Sequence, residues 1–197
     1  MTSFIFLIFF VSGVILGNLL RNNFFNINFK TYILYLLLFF VGLQVGSDRK
    51  FYEIFKKLNL KDLLFPFVSL AGSVLISILI FIIIKFPLKE GIAIVSGMGY
   101  YSLSSILVTE FRNEYFGVIA LLTNLLREII TLIFTPLLVK IFGKSFPVAS
   151  GGATTVDTTL PVIIKYSGKD FLLISIINGF ILTAIVPFVI IFVLSIK

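Results

Sequence analysis

Three ionisable side chains lie inside apolar runs long enough to cross a bilayer. Arg127 and Glu128 are adjacent at the centre of the run from Tyr115 to Val139. Asp157 lies in Ser150-Gly151-Gly152-Ala153-Thr154-Thr155-Val156-Asp157-Thr158-Thr159-Leu160-Pro161, within the run from Ser145 to Ile164. A charge at mid-bilayer costs roughly 2.5–3.5 kcal/mol on insertion scales, so the fold must compensate all three. One arrangement is a structural ion pair between Arg127 and Asp157, with Glu128 protonated or hydrogen-bonded to the threonine cluster. The other is a cation or proton site. Neighbours on a helix project about 100° apart, so Arg127 and Glu128 cannot both face one partner, and at least one acid lacks a cation of its own. A carboxylate so placed can bind an ammonium group or a proton.

Gly151 and Gly152 ahead of Ala153, Thr154 and Thr155 read as the break in a discontinuous helix, whose exposed amides attract a carboxylate. Close packing of a neighbouring helix is the plainer alternative. Tyr100, Tyr101 and Ser102 lie in the stretch Ser96 to Ser105, which is poor material for a lipid-facing helix. A buried tyrosine hydroxyl needs a partner, so this stretch either lines a polar pocket or bridges two helices. Glu110, Arg112 and Glu114 read as a solvated turn.

The elements that must hold these groups are membrane helices. Of 197 residues, 59% are hydrophobic and 13% charged, and the mean hydropathy of +1.15 is too high for one buried soluble core. With no Cys and no His, disulfides, thiolate or imidazole metal sites and Ser-His-Asp triads are excluded, and no metal or cofactor is expected. The 16 Lys and Arg residues are scattered through short connections and form no basic stripe, which argues against nucleic acid as a partner. An intramembrane aspartyl hydrolase needs paired aspartates, and the apolar runs hold one, so no enzyme activity is expected.

Charges divide the chain into apolar runs over 1–20, 31–47, 63–84, 91–109, 115–139 and 171–196, read as six spans, with the polar segment 145–164 broken or re-entrant. Gly13 and Gly17 suit close helix contact in a first helix that is retained. Pro66 is placed in the first turn of its helix. The expectation is an all-α polytopic bundle forming a single transmembrane domain over 1–197. If every segment crosses, the cations divide almost evenly between the two sides. Only the cluster Arg49, Lys50, Lys56, Lys57 and Lys61 then orients the chain, with that loop cytoplasmic and the N-terminus outside.

In order along the chain, the motifs resemble those of the LysO family of bacterial lysine exporters. Phe40-Val41-Gly42-Leu43-Gln44 is similar to the family's end of an early helix, and Ala93 to Glu110 to its glycine-aromatic-Tyr-Ser-Leu-Ser stretch. Asn124-Leu125-Leu126-Arg127-Glu128 resembles Asn-Asp-Leu-x-Arg-Glu, with Leu125 where the family has an acid, so no role for that acid carries over. Gly151 to Val162 resembles Gly-Ala-Thr-Ser-Met-Asp-Phe-Thr-Leu-Pro. The resemblance implies a multi-pass inner-membrane exporter of L-lysine or an analogue. Moving Lys⁺ out of a negative-inside cell is uphill by about 2.3 kcal/mol per 100 mV, so proton antiport, which cancels the charge movement, is expected. The resemblance places the family's intramembrane acids at Glu128 and Asp157, and Asn124 in the same motif. The family's exporters carry further N-terminal helices, which implies a homo-oligomer or a small membrane partner supplying them. The alternatives are a non-transporting subunit of a split transporter and a cation/proton antiporter.

Overall fold

A computed structural model describes residues 11–13, 15, 27–47 and 60–196. The chain divides into two compact units, residues 1–39 and 40–197, and the site below lies wholly within the second. The described residues are helical, with no strand among them. In chain order they form α1 (Ile27–Ser47), α2 (Leu60–Ile84), α3 (Leu88–Val95), α4 (Tyr101–Phe111), α5 (Glu114–Phe142) and α6 (Phe146–Gly151). A 3₁₀ turn, Gly152–Val156, then leads to α7 (Leu160–Ser167), a second turn, Lys169–Phe171, and α8 (Leu172–Ser195). Most of the expected first span and of the cationic loop before Leu60 lies outside the described residues. Pro66 falls one turn further inside its helix than expected, because α2 begins at Leu60.

Among the described residues, three segments are long and apolar enough to cross a bilayer: Asp62–Ile84, Glu114–Phe142 and Lys169–Ser195. The expected span over 91–109 is not one. A spanning helix needs about 20 residues, whereas α3 has 8 and α4 has 11. Both outer ends of this pair lie at one end of the bundle. Arg112 Nε meets Glu90 Oε1 at 2.7 Å, joining the exit of α4 to the entry of α3. The Phe86 and Phe116 rings, flanking the pair in sequence, pack edge to face at 6.0 Å. Residues 88–111 are therefore a re-entrant hairpin. Arg112 is a half-buried clamp, not the solvated turn residue read from the sequence, and its Nη2 also donates to the Leu194 carbonyl at 3.1 Å.

That last bond fixes the rest of the topology. α8 ends beside Arg112, and Lys89 Nζ donates to the Ile196 carbonyl at 3.2 Å. α8 therefore starts at the opposite end, where α5 finishes. The segment joining those two ends, α6 through α7, also enters and leaves on one side. It is a second re-entrant hairpin, and the broken character expected of 145–164 is present. The second unit thus contains a hairpin followed by a span (α3–α4, then α5) and the same pattern inverted (α6–α7, then α8).

The two hairpin tips meet. Ala153 N donates to the Met98 carbonyl at 2.8 Å, between backbones wound left-handed at Met98 (φ 48°), Gly99 (φ 88°) and Gly152 (φ 63°). Non-helical backbone at membrane depth must have its polar groups satisfied by protein, and one asparagine serves each tip. Asn124 of α5 accepts from Gly99 N at 2.8 Å and donates to the carbonyls of Ile94 and Ala120, both at 2.9 Å. Asn178 of α8 donates to the Gly152 carbonyl at 2.9 Å and to Val148 and Thr155 Oγ1 at 3.2 Å.

Candidate functional site

A cavity of about 350 Å³ opens where the tips meet. The first hairpin contributes Gly99, Tyr100, Tyr101 and Ser102 to its wall, and the second Thr154, Asp157 and Thr158. The spans contribute Glu128 from α5 and Phe180 and Thr183 from α8. Small-ligand sites run from roughly 300 to 1,000 Å³, so this one suits a compact solute.

Glu128 reaches the cavity through helical spacing. The buried positions of α5 are Gly117, Ala120, Asn124, Glu128, Thr131 and Thr135, a stripe at intervals of three and four. Asn124 is anchored in the first tip, and one turn later the same face carries Glu128 past that tip. The Glu128 residue is 7% exposed and has no hydrogen-bond partner among the described residues. Asp157 differs. It is exposed at the cavity mouth, and one carboxylate oxygen accepts from Thr158 N at 2.6 Å.

Arg127 turns away from both acids. Its guanidinium donates to the carbonyls of Ser150 at 2.8 Å and Ala149 at 2.9 Å, and to Ser73 Oγ at 3.2 Å. It faces a separate, mostly apolar cavity of about 680 Å³ bounded by α2, α5 and α6. The ion pair with Asp157 entertained from the sequence is not formed. Carbonyls at the C-terminal end of α6 take the cation instead, where the helix dipole also favours it.

Gly151 and Gly152 do form the break, but neither is on the cavity wall, which begins at Ala153 and Thr154. Gly152 N donates to Val148 O within α6, and Ala153 N makes the tip contact with Met98 O. The expectation that the glycine amides face a substrate carboxylate is corrected, because these residues lie behind the wall. A Cβ on Gly152 would collide with the Met98 carbonyl oxygen. Thr155 is also behind the wall, its hydroxyl within hydrogen-bond reach of the carbonyls of Gly152 at 2.7 Å and Ser175 at 2.8 Å. Thr154 is on the wall, its hydroxyl 2.9 Å from the Gly151 carbonyl. Asn124 supports the site without lining it.

Sequence reading missed Thr158, Phe180, Thr183 and Asn178. The signal for Asn178 was present as a single carboxamide inside the uncharged run 171–196. Pro187 marked Thr183: proline has no N–H, so the Thr183 carbonyl four residues earlier lacks its helical donor. Among the described residues no group of three or more acids, cysteines or histidines could hold a metal ion.

The family described as "Lysine exporter LysO" matches residues 7–194. In Escherichia coli (strain K12), the protein named "Lysine exporter LysO" is 34% identical over 161 residues, covering 82% of this chain and 53% of that protein. A Haemophilus influenzae protein named "Putative lysine exporter" is 32% identical over 187 residues, covering 92% and 93% respectively. The chain thus spans about half the length of the Escherichia coli relative and nearly all of the Haemophilus one. No solved structure matches. With nearly its whole length matched, this helical membrane protein belongs to the LysO lysine exporter family.

Proposed function

We propose that this chain exports L-lysine across the inner membrane, exchanging it for protons at the cavity between the two hairpin tips. The observation that carries the reading is Glu128, a buried carboxylate that faces the cavity and has no protein partner among the described residues. A carboxylate that nothing else holds can take an ammonium or a proton in turn. Competition between them makes their binding mutually exclusive, as exchange requires. Moving Lys⁺ out of a negative-inside cell is uphill by about 2.3 kcal/mol per 100 mV, and exchange for one proton cancels the charge movement. Family membership supports lysine as the cargo, and two inverted hairpin-and-span units support access from alternate sides.

With both hairpins re-entrant, the described cations at the ends of the second unit no longer divide evenly. Lys61, Lys140, Lys144, Lys165 and Lys169 fall at the end where α5 finishes, against Lys85, Lys89 and Arg112 at the other. The first end is assigned to the cytoplasm. A second copy or a small membrane partner is proposed against α2, whose apolar face is the least enclosed of the three spans. Lysine counterflow in proteoliposomes with an imposed pH gradient tests the reading. A gradient-driven lysine flux is expected. Lysine flux indifferent to the gradient would remove the proton coupling alone, and no flux from the chain or its co-purified assembly would remove lysine export.

A further inference from the structure

We infer that the α-carboxylate of the transported amino acid docks on the open amides at the start of α4, with Glu128 receiving its α-ammonium. The inference rests on the lysine-export reading and specifies how the cavity reads that cargo. An account of the backbone donors leads to it. Along the first tip, Gly99 N donates to Asn124 Oδ1, Tyr100 N to the Gly97 carbonyl and Ser104 N to the Tyr100 carbonyl. Between them, the amides of Tyr101, Ser102 and Leu103 have no acceptor among the described residues. The N-cap position is Tyr100, which makes no capping hydrogen bond. Serine, threonine, asparagine or aspartate is usual there, because an N-terminus otherwise leaves its donors unfilled.

These three donors start an eleven-residue helix beside the cavity, with Tyr100, Tyr101 and Ser102 on its wall. The second tip is placed differently. Its amides at Gly152, Ala153 and Thr159 are already bonded within the protein, and that of Thr158 is held by Asp157; those of Leu160 and Val162, at the start of α7, are off the cavity wall, and Pro161 has none to offer.

Glu128 is the independent observation. It is 7% exposed, bonded to nothing among the described residues, and on the wall of the same cavity. An anion receptor and a lone buried carboxylate sharing so small a volume match the zwitterionic end of an α-amino acid: amides for its carboxylate, Glu128 for its ammonium. Asp157, exposed at the mouth, is left to meet the distal ammonium.

The test compares Tyr101→Pro with Tyr101→Ala in lysine counterflow. Both remove the ring. Proline is tolerated at the first helical position and deletes only that amide's N–H. The proline variant is expected to show a KM for lysine about ten- to hundredfold above that of the alanine variant, the range for losing a hydrogen bond to a charged group. Inhibition by cadaverine, which has no carboxylate, is expected to be equal in the two. Ser102→Asp supplies a second arm that does not depend on the proline. An acid in the first turn is favourable to the helix and would occupy the amides from within. This variant is expected to reach the membrane, lose lysine transport and become more sensitive to cadaverine. Equal lysine KM in the Tyr101 pair, or normal lysine transport by Ser102→Asp, would overturn the assignment while leaving lysine export intact. An inert wild-type protein would overturn both.

Discussion

Ala153 N donates to the Met98 carbonyl at 2.8 Å, joining backbone to backbone two hairpins that enter the bundle from opposite ends. Each tip is also tied to the span that follows its own hairpin, by Asn124 in one case and Asn178 in the other. The cavity wall is therefore a junction of two hairpins within the second unit, not a pocket within one hairpin. Any motion of one hairpin against the other must remake that bond and reshape the space around Glu128.

The glycines at this junction differ sharply in what they can lose. Gly152 has a left-handed backbone and faces the Met98 carbonyl, whereas Gly143 has a similar φ of 91° with open space around it. Alanine at 143 should carry only the conformational cost, roughly 1–3 kcal/mol. At 152 it carries the same cost and also forces the tips apart. Gly143→Ala is expected to transport lysine normally, and Gly152→Ala or Gly152→Val to lose transport by more than the fall in membrane abundance. Transport rate divided by immunoblotted protein is the measurement. Parallel losses in both quantities at Gly152 would count against a role for the junction.

The re-entrant topology makes a prediction that this chain is well suited to test, because it contains no cysteine. Lys89→Cys and Asn113→Cys should react with a membrane-impermeant maleimide from the same side, since the α3 and α4 ends are joined there through Glu90 and Arg112. Lys144→Cys and Lys169→Cys should react from the other side. Labelling of positions 89 and 113 from opposite sides would restore a spanning segment over 91–109.

Much of this architecture is legible in the residues, and the illegible part has a physical reason. Glu128 and Asp157 stand out because charge in an apolar run is costly, and Gly151-Gly152 because no lipid-facing helix tolerates that pair well. The hairpin over 88–111 was hidden because an uncharged run of the right length reads the same whether it crosses or folds back. Its sign is in Ser96 to Tyr100, where positive φ at Met98 and Gly99 lets the chain reverse. The partners of Arg127 are hidden for a different reason. The sequence offers Asp157 as one candidate, whereas helix-end carbonyls are acceptors that no sequence displays.

That placement gives Arg127 a structural role separable from transport chemistry. Arg127→Gln removes the charge-assisted bonds to Ser150 and Ala149, which should lower stability by about 1–3 kcal/mol. Thermal denaturation in detergent is expected to show the loss. The pH dependence of the remaining lysine flux should keep its wild-type shape, because the guanidinium faces the other cavity. A shifted pH profile would return Arg127 to the titrating set.

The two acids should behave in the opposite way. Glu128→Gln and Asp157→Asn preserve shape and remove the exchangeable charge, so both variants should insert normally and fail to export lysine. Their positions separate them further. Glu128 is enclosed and unpartnered, so its amide removes the point at which ammonium and proton compete, and both lysine counterflow and proton-coupled flux should fall to background. Asp157 is exposed at the mouth with one oxygen already held by Thr158 N. Its amide should act mainly on cargo with a distal ammonium, so norleucine, which is similar in length and lacks that group, should compete as well in Asp157→Asn as in the wild type. Wild-type lysine export from Glu128→Gln, measured against matched membrane protein, would eliminate the shared ammonium and proton site.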